Sequence, residues 1–523
     1  MPIVPIRGLG SGGIVRDTAA VLLEPNVFSD GRNVKFDDGS VRKRLGHQQI
    51  LGNLVGATNP HFGIHWPRPV TRYNIYANED AIYRIDQTGT PSDISGSAEY
   101  RPGARWHGSL FTGGYAVVMN NTVDTPEYIL YGTAGRSFET RMTPLPGWNY
   151  DPAFRITAGV LRPYRNHLVA GNISAIETSG DENVISRNPG TIRISAAAPA
   201  GAVPTTWEPG VDANTADEFE LSQTEPITEM QELRGHLFVY TGNSIHQVSV
   251  GTAATTVLDY AYGYGCLAID CVAAYDGKHF VVDKNDIYIH AGSGSIQSVA
   301  DTRIRRYFFE NLHPDHFENT FVAVNRAEDE IWVCFPNLDA NAEGDCNEAV
   351  IWDYRHDHWT IYDVPNIRSS FEGPMVRNGE FRVQEEKLIT VSRADSRFYA
   401  MDEGNTFNGT NFPAFVERKR TAAAADNSSK WLGQFYPIFD VETTSNPIKI
   451  SLRGQNTFVQ DIDFTDRKSD VVNFNPLDTD RGYKIDPRTN GRLINYRVET
   501  DDTDPNTWVL SGVSVMVEED DKR

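Results

Sequence analysis

Apolar and polar residues alternate along most of this chain, in short runs broken by turn residues. This is the period-2 signature of half-buried strands, and helical periodicity is scarce. The clearest unit is residues 234–250, RGHLFVYTGNSIHQVSV. Leu237 to Thr241 form one run and Gly242-Asn243 the turn. Ile245, Gln247 and Ser249 then alternate with His246, Val248 and Val250. Gly-Asn between two such runs predicts a hairpin, because the turn needs a positive φ that Gly adopts without strain. DGKHFVVDKNDIYIH (276–290) repeats the plan with Lys284-Asn285 at the turn, and FVAVNRAEDEIWVCF (321–335) repeats it again around Ala327–Asp329. The offset from Gly235 to Gly277 is about 42 residues, the spacing of propeller blades. YNIYANEDAIYRID (73–86) reads as an earlier member, and 164–174 and 387–402 as weaker ones. AVIWDYRHDHWTIYD (349–363) completes a blade, with its turn at Arg355–Asp357.

A two-strand unit cannot bury both of its faces alone, whereas radial packing around an axis buries them and leaves only short edges. The chain therefore reads as all-β, with an irregular β-propeller of five to seven blades over 57–412. Residues 413–523 carry longer strands (PIFDVET, PIKISLRGQ, GRLINYRVETD, TWVLSGVSVMVEED) and read as a C-terminal β-sandwich or platform domain. Residues 1–56 read as an N-terminal arm with a tight hairpin at Asp38-Gly39, a region that could also join the sandwich.

Composition narrows the function. With 48 basic and 70 acidic residues the net charge is −22, which argues against a nucleic-acid binder but not against a wall that DNA slides past. Cys266, Cys271, Cys334 and Cys346 lack CxxC spacing and read as reduced thiols. Neither a signal peptide nor a run of about 20 apolar residues is visible, so membrane insertion is not expected.

Motifs that could carry chemistry fail on context. Gly8-Leu9-Gly10-Ser11-Gly12-Gly13 matches GxGxxG, but PIVPIR before it holds two Pro and no helix pattern follows, so an extended arm is expected. His356 and His358 would share a strand face beside Asp353. They fall at a turn between Trp352 and Trp359 with no second ligand pair, and read as turn histidines. Asp461, Asp463 and Asp466 lack the Gly and closing Glu of an EF-hand loop. Asp-boxes, GxSxG, HExxH and P-loops are missing. Arg42-Lys43-Arg44 is expected to pair with Asp37, Asp38 or a neighbouring subunit. No catalytic, cofactor-binding or metal residue is assigned, no cofactor is expected, and the chain reads as a non-enzyme.

Four segments together resemble one family. NVFSDGRNVKFDDGSVRKRLG (26–46) is similar to the N-terminal hairpin of short-tailed phage (podovirus) tail nozzle proteins of the tail tubular protein B type, with Leu45 where Pro is usual. VISRNPGTIRISAAAPAGAVPTTW (184–207) resembles their strand leading to a Pro-rich loop that ends in Trp. Residues 218–250 with 276–290 resemble their propeller hairpins, and 495–517 their C-terminal strand pair. The resemblance implies a homo-oligomeric six-fold ring in the virion tail, assembled in the host cytoplasm. Such a ring lies below the portal and its adaptor, contacts tail fibres or a needle, and lets DNA pass through its lumen without specific binding. Segments 196–215 and 337–347 are the expected gate loops. Two alternatives from other classes are a tail-tip glycan-degrading propeller and a monomeric propeller binding module.

Overall fold

The computed structural model describes the chain except residues 1–2, 38, 55, 57, 68–71, 98–99, 132–139, 150–151, 179–183, 211–215, 223–224, 252–254, 423–427, 441–447, 458–461, 463, 465–468, 477–483, 502–506 and 520–523. Antiparallel strands dominate it, and Arg305–Asn311 is the one α-helix among the described residues. No helix there is long and apolar enough to cross a membrane.

Five four-stranded meanders follow one another. Blade 1 is Phe62–Trp66, Tyr73–Ala77, Ile82–Asp86 and Pro91–Asp93; blade 2 is His107–Phe111, Ala116–Asn120, Glu127–Leu130 and Thr143–Pro144. Blade 3 is Phe154–Tyr164, His167–Glu177, Val184–Ile194 and Asp217–Glu220. Blade 4 is Ile227–Leu233, His236–Thr241, Ser244–Val250 and Thr255–Tyr262; blade 5 is Val272–Tyr275, Lys278–Val282, Ile287–His290 and Gln297–Ser298. A seven-stranded sheet then supplies two blades through one shared strand, His358–Arg377. Its first half closes blade 6 beside Phe321–Asn325, Glu330–Phe335 and Cys346–Asp353. Asn366 takes φ 49° and the register shifts between Ile367 and Ser369, so the strand bends there. Its second half opens blade 7 with Glu380–Ser392 and Arg397–Met401.

The last strand of blade 7 is His47–Asn53, from the other end of the chain, in register from Met401↔His47. The innermost strands neighbour one another in order, and that of blade 7 meets that of blade 1. Among the described residues this is a closed seven-bladed β-propeller. Aromatic and branched side chains of adjacent blades fill each wedge: Trp66, Trp106 and Met119 between blades 1 and 2, Trp148, Leu168 and Trp207 beside blades 2 and 3, and Tyr76, Ile389 and Phe398 between blades 7 and 1. Each such fully buried side chain contributes about 1.5–3 kcal/mol.

The C-terminal region forms two facing sheets, and the N-terminus completes both. One contains Val34–Asp37, Ser40–Lys43, Val509–Glu519, Lys430–Phe439 and Thr489–Gly491, with Ile3–Ile6 along Val509–Glu519. The other contains Asp30–Arg32, Ala414–Ala422, Leu493–Thr500, Ile448–Gln455 and Asp470–Phe474. Between them lie Phe28, Val34, Phe435, Ile450, Val498 and Trp508. The N-terminal unit expected over 1–56 is therefore divided. Its first part belongs to the sandwich, while His47–Asn53 closes the propeller, because an open blade edge gains hydrogen bonds from any strand that reaches it.

The glycine run is a packing device. A Cβ on Gly10 would meet the Phe36 ring at 2.0 Å, and one on Gly13 (φ 66°) would meet Trp359 backbone atoms at 2.8 Å. The next residue's amide, Ile14 N, donates to Trp359 O at 2.9 Å. The glycines thus let the arm lie directly on blade 6, with no helix after them.

Candidate functional site

Three places among the described residues concentrate charged or metal-ligating side chains. The first is a cleft of about 430 Å³ on the propeller face where inter-blade connections and central turns open. Its walls come from blades 6, 7, 1 and 2, so it lies over the channel mouth. Arg368 Nε sits 2.8 Å from Asp345 Oδ1, and Arg393 Nη2 donates to Glu343 Oε2 at 3.1 Å. Arg105 Nη2 donates to the Glu318 carbonyl at 3.2 Å and has no carboxylate within ion-pair distance among the described residues. His61 Nε2 accepts from Trp106 N at 2.9 Å. Burial first, then His107, Arg105, Arg368 and Arg393, pushes His61 down to about 3, so it stays neutral. Glu79, Asp80 and Glu318 line the cleft as well, so its charges are mixed, with Arg105 the arginine outside an ion pair among the described residues.

Deeper in the channel, Arg162 donates to Glu229 Oε1 and Oε2 at 2.8 and 2.7 Å and to Asp270 Oδ1 at 2.7 Å. His107 Nδ1 lies 2.8 Å from Asp270 Oδ2. Burial opposes ionisation of Asp270, but His107 and Arg162 outweigh it and hold the carboxyl below its usual range. A carboxylate held this way does not serve as the general acid of a glycoside hydrolase. Glu127, raised to about 7 chiefly by burial, accepts from the Tyr100 hydroxyl at 2.8 Å between blades 1 and 2.

The second place is the junction between propeller and sandwich. Arg44 is fully buried; Nε donates to Asp402 Oδ1 at 2.8 Å, Nη2 reaches Glu330, and the guanidinium stacks 4.7 Å from the Trp332 ring. Lys35 joins Glu328 and Glu330, and Arg32 joins Glu348 and Asp363. Lys43 Nζ donates to the Phe412 carbonyl at 2.9 Å, and Arg42 pairs with Asp37 at 3.1 Å. The expected Asp37 partner is thus present, Asp38 lies outside the described residues, and the remaining partners come from regions distant in sequence. Burial lowers Lys43 to about 8.

The third place is the blade 6 hairpin turn. Asp353 Oδ1 caps it by accepting from Arg355 N at 2.9 Å and His356 N at 2.8 Å. Asp353 Oδ2 lies 2.9 Å from His356 Nδ1 and 3.8 Å from His358 Nδ1. The turn assignment for His356 holds, whereas His358 is a buried strand residue. Asp461, Asp463 and Asp466 lie outside the described residues.

Parts of both expected gate loops are packed, while residues 208–210 and 338–339 are exposed. Ala196, Ala198, Val203 and Trp207 are buried, Trp207 edge-on to Trp148 at 4.6 Å; residues 211–215 lie outside the described residues. In the other loop Asp345 is fully buried between Asn341 and Arg368. All four cysteines are free and buried. One surface escaped the sequence reading. The terminal strand of blade 4, Thr255–Tyr262, leaves Val257, Leu258 and Tyr262 exposed, with Tyr264 just beyond. Its signal was present: TTVLDYAY has a single charge, which is unusual for an edge strand.

No protein-family model and no characterised protein matches the sequence. Among solved structures, Raptor of Chaetomium thermophilum is similar at 9% identity and TM-score 0.41, over 68% of this chain and 29% of that one. U3-55K is similar at 9% identity and TM-score 0.36, over 68% of this chain and 99% of that one. The chain thus spans under a third of Raptor's length. The propeller assignment stands on the sheet order itself.

Proposed function

We propose that this chain is a structural, ring-forming subunit of a short-tailed phage tail, similar to the tail nozzle, with no reaction to catalyse. The observation that carries the reading is the apolar outer strand of blade 4. A long edge strand with Val257, Leu258 and Tyr262 exposed and Asp259 its only charge invites a partner chain. A contact between that edge and a different surface of the next copy is heterologous, and such contacts close into a ring when the rotation between copies closes and form open filaments when it does not. The buried ion-pair junction supports the same role, because it fixes the two bodies of each subunit at one angle. The resemblance of 26–46, 184–207 and 495–517 to nozzle proteins supplies the identity of the ring, its adaptor and fibre neighbours, its place in the virion and its DNA-conducting lumen. The net charge of −22 suits a wall that phosphates do not adhere to. Negative-stain images of the concentrated protein test this: closed rings of copies are expected, and isolated particles throughout contradict it.

The second reading, a monomeric binding module, is favoured by Arg105 in the channel-mouth cleft. It predicts that an acidic peptide binds there and that Arg105→Ala abolishes the binding, read by calorimetric titration.

A further inference from the structure

The blade 6 turn places two imidazoles and a carboxylate around one point. The ligand atoms of Asp353, His356 and His358 all lie within 4.8 Å of one another. A tetrahedral zinc-type ion with bonds of about 2.0–2.1 Å needs its ligand atoms roughly 3.3 Å apart, between the 2.9 and 3.8 Å found here. Rotation of the His356 side chain, more than half exposed, lengthens the 2.9 Å separation, and rotation of the Asp353 carboxylate shortens the 3.8 Å one.

Two features go beyond proximity. His358 has a side chain 5% exposed, and its Nδ1 has no hydrogen-bond partner, although a buried ring nitrogen ordinarily finds one. That nitrogen lies 3.8 Å from Asp353 Oδ2, on the side where His356 also approaches the carboxylate. The turn itself is held firmly, because Asp357 takes Arg303 in two bonds of 2.7 and 2.8 Å.

We infer that Asp353, His356 and His358 form a binding site for one divalent transition ion of the zinc type, with its remaining position open to solvent beside His356. Mixed imidazole and carboxylate donors select such ions over magnesium or calcium, which take oxygen ligands. The ion would serve as a structural clasp. By fixing His358, it fixes the surface on which Phe36 rests, its ring 5.5 Å away, and on which Gly13 lies. This inference is independent of the ring proposal.

The test is equilibrium dialysis of the full chain against micromolar Zn²⁺, with Co²⁺ absorption as the report on ligation. Wild type is expected to bind one equivalent and, with Co²⁺, to give the visible bands of a low-coordinate nitrogen–oxygen site. His356→Ala alters an exposed side chain, and Asp353→Asn keeps the oxygen that caps the turn. Each should weaken binding at least about tenfold without changing the circular dichroism of the metal-free protein. The pair His313 and His316, with ring centroids 4.6 Å apart, is the main competing site, so the double variant His313→Ala/His316→Ala should bind as wild type does. No bound equivalent in wild type, undiminished binding by His356→Ala, or loss in the His313/His316 variant overturns the site.

Discussion

At Arg44 a buried guanidinium pairs with two buried carboxylates, Asp402 and Glu330, and Lys35 is the second cation on Glu330. Burial alone would discharge Arg44, but Asp402 and Glu330 outweigh that and raise it, so it stays charged. Arg44→Met leaves Asp402 buried without its ion-pair partner and Glu330 with Lys35 alone, and is expected to destabilise the protein by about 3–5 kcal/mol. Adding Glu330→Gln and Asp402→Asn to that variant should restore most of the loss, because neutral amides are far cheaper to bury. Urea denaturation of the single and triple variants measures both; equal destabilisation of the two would refute the account. Glu127 acts in the opposite sense. Its folded pKa is about 7, against 4.5 for a free glutamate side chain. The folded state holds this proton longer than the unfolded chain does, so the group's contribution is full below about 4.5 and is lost as pH rises through 7. Glu127→Gln is therefore expected to stabilise the protein at pH 8 by up to about 3 kcal/mol and to change little at pH 4. Stability curves of the two proteins against pH check the sign.

At the scale of elements, the hairpins were legible because their turns are chemically marked. Gly242-Asn243 and Lys284-Asn285 join strands ending at Thr241 and Val282 to strands starting at Ser244 and Ile287, within a residue or two of expectation. Blade 3 was legible only at its 164–174 turn, since each of its first three strands runs 11 residues through mixed polar positions. The shared 20-residue strand His358–Arg377 was hidden because its bend at Pro365-Asn366 reads locally as the end of a strand, while the chain continues extended beyond it. Strand His47–Asn53 was hidden for a different reason: its partner lies at the far end of the propeller, and local alternation carries no record of so distant a pairing. The same distance concealed the Arg44 ion pairs and left the basic cluster without its true partners. A chain beginning at residue 57, the boundary that alternation suggests, exposes the edge of Arg397–Met401. It is expected to be recovered largely as aggregate, whereas a chain beginning at residue 47 should remain more soluble. Comparing the soluble yields of the two truncations measures what the closing strand contributes.

The whole molecule is two rigid β bodies joined by interleaved termini, with one apolar edge turned outward. A propeller whose first and last strands share a blade resists opening, and a sandwich built from both chain ends is tied to it at several points. Such a body transmits force and position well, which is what a wall segment of a conduit requires. The outward edge then decides whether copies assemble. Introducing Lys at Val257 and Leu258 places charge where a neighbour's strand would lie, and should abolish assembly while leaving the circular dichroism and thermal transition of the subunit unchanged. Sedimentation of wild type beside Val257→Lys/Leu258→Lys, over a wide concentration range, tests the central claim most directly. The account predicts a discrete closed oligomer for wild type and a 58.3 kDa particle for the variant. A wild-type protein that stays at 58.3 kDa at every concentration contradicts it.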